Sequence, residues 1–410
     1  MTPTHSSDDR RASTIRFEYD PATIWFGTGC VADLESELET QGLGRALLVC
    51  GATVGSTPKV IDPVTEGLGD RLAGVFDETT PKKRLQTALE GRDRFEDDEA
   101  DVLVSLGGGS SLDVAKAISV LAATDLGPAA AGREFAETGT LPVPDDGLVP
   151  IVAIPTTLAG ADLSMSGGLT ASPDSGLVDE ERSGGLSARG LMPAAAVYDP
   201  ELVATTPDSI LAGSEMNGFD KGIEALYAAD ATPVTDATAR HGLEKLEDGL
   251  RTFGDGDRDI DTFETILEGI VLVQYGISRP GGSILSIVHA FGHGLTHTYD
   301  VQQGAAHAVV VPYVLEYLFE EGGVHAREGM LANALGVDNA ADHGAAVVEA
   351  VTEIRDGLDL PSRLRDVEGP EPDEFTAVAE YVLADRLMAN VPPGLNPSIE
   401  DIEGILERAW

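Results

Sequence analysis

Cysteine is nearly missing from this chain of 410 residues, with Cys30 and Cys50 as the only two. They form no CxxC pair, so a disulfide framework is excluded and a reducing cytoplasm is the expected compartment. No apolar run approaches the ~18 residues that a membrane span needs. Residues 1–11 are polar and lack the apolar centre of a signal peptide, and residues 1–13 read as a loose tail. Cations are scarce as well. Asp and Glu number 70 against 27 Lys and Arg, six of which are lysines, for a net charge of −43. Such a surface repels nucleic acid and anionic membranes, so neither is expected as a partner.

What is present is ordinary in amount and informative in order. The hydrophobic fraction of 42% suits a globular protein, and the length allows two or three domains. The acid is interleaved with apolar periodicity rather than gathered into a tail. A dispersed, lysine-poor acidic surface resembles that of proteins from salt-loving organisms, where salt screens the self-repulsion.

The first half alternates short apolar runs with helical spacing. Residues 46–50, 101–106 and 148–154 read as buried parallel strands, and Lys83–Phe95 as an intervening helix. This predicts an α/β class, with a Rossmann-like doubly wound parallel sheet over residues 14–199 and an added antiparallel element over residues 14–26. Residues 142–147 read as a surface loop. From Pro207 onward apolar residues recur at three and four, as in residues 218–228, 263–275, 308–318 and 345–358. That predicts an all-helical domain over residues 200–410, with residues 308–311 ambiguous between helix and strand.

Three motifs carry chemistry. Gly107-Gly108-Gly109-Ser110 follows a strand and opens a helix whose next turn holds Asp113. Glycines let a ligand approach the backbone, and the N–H groups of a helix start point at it, which suits a pyrophosphate. Thr156 and Thr157 close another strand, at the edge where open sheets bind ligands. His289, His293, His297 and His307 fall within nineteen residues, the first three spaced i, i+4, i+8. That cluster suits either a metal site or a proton-handling wall.

Taken together, these features resemble the iron-containing alcohol dehydrogenase family over nearly the whole chain. The resemblance rests on the glycine loop Gly107–Lys116, the Pro155-Thr156-Thr157 turn, the Tyr198–Pro207 connection, the Met216–Tyr227 helix and the His289–Pro312 segment. It implies NAD or NADP in a cleft between the two domains and hydride transfer between nicotinamide and a small alcohol/carbonyl substrate. It also implies a homodimer or larger homo-oligomer. Gly51 stands where many family members carry an Asp on the adenine ribose, and its presence permits NADP.

The family holds Fe²⁺ or Zn²⁺ through an Asp, a His four residues on, and two further His. Laid on this chain, those positions hold Asn217, Lys221, His289 and Gln303. Amides and an ammonium are poor ligands for these metals, so a metal is not expected. Asp220 and Glu224 are the acids that would have to join His289 and His293 in a substitute site. Parts of the segment, including Asn217 and the His307–Val310 run, resemble the maleylacetate reductase branch. The resemblance implies that Lys221, His289 and His293 act on the carbonyl, with Asn217, His297, Gln303 and His307 around the substrate. A dehydroquinate synthase-like lyase using NAD transiently, and a catalytically silent nucleotide-binding protein, are the alternatives.

Overall fold

The computed structural model describes residues 17–19, 22–280, 284–320 and 327–410. The tail expected over residues 1–13 lies outside them. Among the described residues, eight strands occupy the first half: β1 (Thr23–Phe26), β2 (Ala46–Gly51), β3 (Leu72–Thr79), β4 (Val102–Gly107), β5 (Ile151–Pro155), β6 (Ser166–Ala171), β7 (Arg182–Ser187) and β8 (Ala195–Tyr198). Six form one sheet in the order β1-β8-β5-β4-β2-β3, with every pairing parallel. The central runs are apolar because helices cover both faces. Ala46–Cys50 and Val102–Leu106 are buried at nearly every residue. β5 begins only at Ile151, since Pro150 has no N–H to donate to a ladder.

Of the element expected as antiparallel over residues 14–26, residues 14–16, 20 and 21 lie outside the described residues, and the strand within it needs correcting. β1 runs parallel to β8, with Thr23 N–H donating to Ala194 O and Gly27 N–H to Tyr198 O. An apolar tetrapeptide specifies a strand but not its direction. Here direction is fixed by the turn that follows, where the Asp199 carboxylate accepts from the N–H groups of Gly29 and Val31.

β6 and β7 form a separate antiparallel ribbon that the hydrophobic pattern does not reveal. Its strands carry the same tetrapeptide, Ser166-Gly167-Gly168-Leu169 and Ser183-Gly184-Gly185-Leu186, and Gly168 pairs with Gly185. Glycine is a poor strand former. The ribbon is held from outside instead. Lys116, in the helix Gly109–Ala122, donates to the carbonyls of Ser164 and Ser166 at 2.7 and 2.8 Å. A Cβ at Gly184 would lie 1.8 Å from Gly139 O, so only glycine fits there.

From Pro200 to the C-terminus every described regular element is helical, and residues 308–311 lie within the helix Gln303–Glu320. The largest apolar cluster joins these helices to residues such as Tyr198 and Leu158 from the sheet side. No helix among the described residues is long and apolar enough to cross a membrane.

Close helix approach generates a stability test. A Cβ at Gly304 would sit 1.5 Å from Gly213 O on the neighbouring helix, whereas one at Gly404 meets nothing within 4 Å. Gly304→Ala should lower stability by roughly 1–3 kcal/mol through overpacking, and Gly404→Ala should raise it by about 0.5–1 kcal/mol. Thermal midpoints of the two variants should therefore move in opposite directions.

Candidate active site

The glycine loop lies at the carboxyl end of β4. Gly107 has φ +134°, a conformation that a side chain would strain. Gly108 occupies the N-cap position of the helix Gly109–Ala122 and supplies no side-chain cap, so the first amides remain for another acceptor. Thr156 N–H donates to Gly107 O, and Thr157 packs beside Gly108. Ser110 sits half-buried in the first turn, and Gly51 ends β2 against Thr79 O. Asp113, one turn further on, is ion-paired with Lys83 at 2.6 Å.

Beside this loop opens a cavity of about 540 Å³ between the β6–β7 ribbon and the helical half. One wall is the four ribbon glycines with Asp113. The other carries Asn217 and Lys221 from the helix Asp208–Tyr227, His289 and His293 from the helix Ile287–Thr298, Gln303, and Arg386. The four positions implied as metal ligands are thus brought together.

Their chemistry is set by partners. Lys221 Nζ donates to Ala159 O and Gly160 O, both at 2.8 Å. An ammonium has three protons, so one is left for the cavity. Burial pulls its pKa down to about 8, against the pull of the Asp162 charge. Neither Asp220 nor Glu224 pairs with it.

Glu224 lies fully buried behind His289, with Oε2 2.6 Å from Nδ1. The same carboxyl accepts backbone N–H bonds from Ser286, Val288 and His289. His289 Nε2 lies 3.0 Å from Asn217 Oδ1. Burial pushes Glu224 up to about 7 and holds His289 well below its usual value, so the ring is neutral. His293 Nδ1 meets Asp385 Oδ2 at 2.7 Å, which leaves Nε2 toward the cavity. Burial raises the Asp385 carboxyl, but the His293 bond and the Leu387 N–H outweigh it and hold the group below the usual range.

Two residues expected around the substrate are elsewhere. His297 is exposed and stacks on Tyr381, ring centroids 4.6 Å apart. At 3.6 residues per turn, the step from His289 to His297 rotates about 80° off the starting face. His307 is fully buried behind His289, edge to face at 4.5 Å, with Nδ1 2.9 Å from Asp220 Oδ2. Burial lowers its pKa to about 3. Asp385, Arg386 and the ribbon glycines escaped the sequence reading. Asp385 lies 92 residues from its histidine, beyond any local spacing, whereas the repeated Ser-Gly-Gly-Leu was a visible signal.

The donor set does not fit Fe²⁺ or Zn²⁺. At the four family positions it offers one imidazole, two amides and an ammonium; His293, the other imidazole of the cavity, is turned to Asp385, and Asp220 and Glu224 are buried away from the cavity. No group of three His, Cys, Asp or Glu side chains among the described residues is arranged to hold a metal.

Comparison with known proteins bears on the family and the fold. Residues 21–200 match the family model "Iron-containing alcohol dehydrogenase", and residues 211–410 match "Fe-containing alcohol dehydrogenase family, C-terminal". The chain is 28% identical to lactaldehyde reductase of Escherichia coli (strain K12) over 409 residues, covering 95% of this chain and 98% of that protein. It is 28% identical to maleylacetate reductase 2 of Cupriavidus pinatubonensis over 335 residues, 80% of each. Its fold matches that of sulfoacetaldehyde reductase from Bifidobacterium kashiwanohense in complex with NAD+, with a TM-score of 0.83, 20% identity and coverage of 97% and 99%.

The loop geometry yields a binding test. A Cβ at Gly108 would already lie 3.2 Å from Thr157 Cγ2, so a branched side chain must project into the space above the helix start. Gly108→Val should abolish NAD(H) or NADP(H) binding by calorimetry while the fold is retained. Equal affinity in wild type and variant would show that the loop is not the phosphate cradle.

Proposed function

The chain belongs to the iron-containing alcohol dehydrogenase family, and from that premise we propose a metal-independent, NAD(P)-linked reductase of small carbonyl compounds that also runs in reverse. The observation that carries this reading is Lys221, whose one unengaged N–H lies at the cavity in the position of a family metal ligand. The glycine loop and the uncapped helix start would hold the cofactor diphosphate, and Gly51 leaves room for either NAD or NADP. That a protein of the same fold, sulfoacetaldehyde reductase, forms a complex with NAD+ supports a nicotinamide cofactor. When bound, the nicotinamide supplies or accepts the hydride.

The chain's own groups handle the oxygen. Lys221 and the His293 imidazole face the carbonyl oxygen across the cavity, and Asn217 and Gln303 flank it. As hydride reaches the carbonyl carbon, the π pair moves to oxygen, and the Lys221 ammonium stabilises that charge and gives up its proton. Burial, by lowering the pKa to about 8, brings the lysine close enough to neutrality for the proton to leave. His293, oriented by Asp385, is placed to return a proton from solvent.

Two measurements decide this. Lys221→Met keeps the volume and removes the charge, and turnover should fall ~100-fold with cofactor affinity retained, by analogy with deletion of an oxyanion donor. Reduction needs the ammonium, so the wild-type rate should hold steady below about pH 8 and decline above it, with the opposite limb for alcohol oxidation. The variant should lose that limb. Unchanged turnover would reduce Lys221 to a structural tie.

The second measurement is elemental analysis of protein purified at molar salt. Iron and zinc should stand far below one equivalent, and chelation should leave NAD(P)H consumption intact. Stoichiometric metal whose removal stops turnover would refute metal independence.

A further inference from the structure

The charge lining the cavity is opposite to that of the molecule around it. Acidic residues outnumber basic ones 70 to 27 in the chain, yet among the described residues the cavity is lined by Lys221 and Arg386, with Asp113 as its only acid. Asp113 is neutralised by Lys83 at 2.6 Å. Three of the six lysines, Lys83, Lys116 and Lys221, therefore gather at this cleft. In a polyanionic protein, counter-charge placed at one concave surface focuses potential there and draws anions to it.

Arg386 has no counterpart. Its neighbour Asp385 is engaged at both oxygens, Oδ2 with His293 and Oδ1 with Leu387 N–H. No carboxylate lies within ion-pair distance of the Arg386 guanidinium among the described residues. The wall opposite consists of Gly167, Gly168, Gly184 and Gly185, which offer backbone and space rather than apolar side chains. Among the described residues only Leu186 and Leu285 line the cavity with aliphatic side chains, too few to recognise an aliphatic alcohol by burial.

We propose that the substrate carries an anionic group, a carboxylate or an equivalent oxyanion, which Arg386 binds while the carbonyl faces Lys221 and His293. This rests on the reductase reading and names the substrate class within it. A planar guanidinium matches a carboxylate with paired N–H donors, so the interaction would orient the carbonyl as well as attract it.

The test compares 4-oxobutanoate with butanal, alike in length and different in charge. Wild type should prefer 4-oxobutanoate in kcat/KM by at least ~10-fold, about what a charge-assisted hydrogen bond contributes. In Arg386→Met that ratio should collapse to within about three-fold of unity. A guanidinium also binds phosphate, so the NADH dissociation constant is measured in both proteins to separate a role toward the cofactor. A loss of NADH affinity as large as the loss of preference overturns the proposal, as does a wild type without preference or a preference that survives the substitution. Succinate titrated into NADH-loaded protein supplies a readout that needs no turnover. Binding that disappears in Arg386→Met upholds the anion site even if neither aldehyde is reduced, an outcome that would fail the reductase reading alone. Absent or unaltered succinate binding rejects the anion site.

Discussion

The buried carboxyl of Glu224 is the contact on which the site depends. It sits on one helix and serves the start of another, accepting N–H bonds from Ser286, Val288 and His289. The N-cap of the histidine helix supplies no side-chain acceptor of its own, so a residue 62 positions away caps it. The same group meets His289 Nδ1 at 2.6 Å, and Asn217 Oδ1 meets Nε2 at 3.0 Å. With Asn217 accepting from Nε2–H, Nδ1 is bare and takes a hydrogen bond from the protonated acid. That placement agrees with a Glu224 pushed up to about 7 and a neutral His289. One side chain thereby fixes the helix start, the imidazole tautomer and the distance between the two helices that line the cavity.

A second constraint crosses the cleft. The segment from Ala159 to Ser166 is clamped by two buried ammonium groups, Lys221 on the carbonyls of 159 and 160 and Lys116 on those of 164 and 166. Asp162 lies between them, raised to about 6 by its burial despite the nearby Lys221 charge. Carbonyl dipoles satisfy these cations without neutralising them. The cleft can therefore keep a positive potential inside a chain of net charge −43.

Much of this was legible in the residues. Continuous apolar runs announced the parallel strands, because a sheet covered on both faces needs them. The turn at the glycine loop was legible because three glycines in a row between an apolar run and a helical pattern mark the passage from strand to helix. Asn217, Lys221, His289 and Gln303 could be placed together only through resemblance, since nothing in their spacing brings 217 next to 289. The direction of β1, the glycine ribbon and the Asp385–His293 pair were not read. Strand direction and ribbon pairing are tertiary outcomes, and the ribbon is stabilised by Lys116 rather than by its own side chains. His297 was misplaced because an i, i+8 spacing shares a face only if turns are counted as four residues, and it drifts on a helix of 3.6.

The departures at the four ligand positions form one coordinated change on the metal-free reading. In the family pattern, a carboxylate, three neutral imidazoles and a dication sum to a site charge of about +1. Here Asn217, His289 and Gln303 are neutral and Lys221 carries a single positive charge, which gives the same total. Losing the metal alone would leave a bare carboxylate facing the developing alkoxide, a repulsive arrangement in a desolvated cleft. Replacing that carboxylate by an amide removes the repulsion, and replacing an imidazole by lysine restores the attraction. Either change without the other leaves the site one unit from balance. The buried surroundings then set how the remaining charge behaves. A metal cannot be deprotonated, whereas an ammonium brought to about pH 8 can. On that reading the substitution preserves the electrostatics of the oxygen site and adds a proton that can move with the reaction.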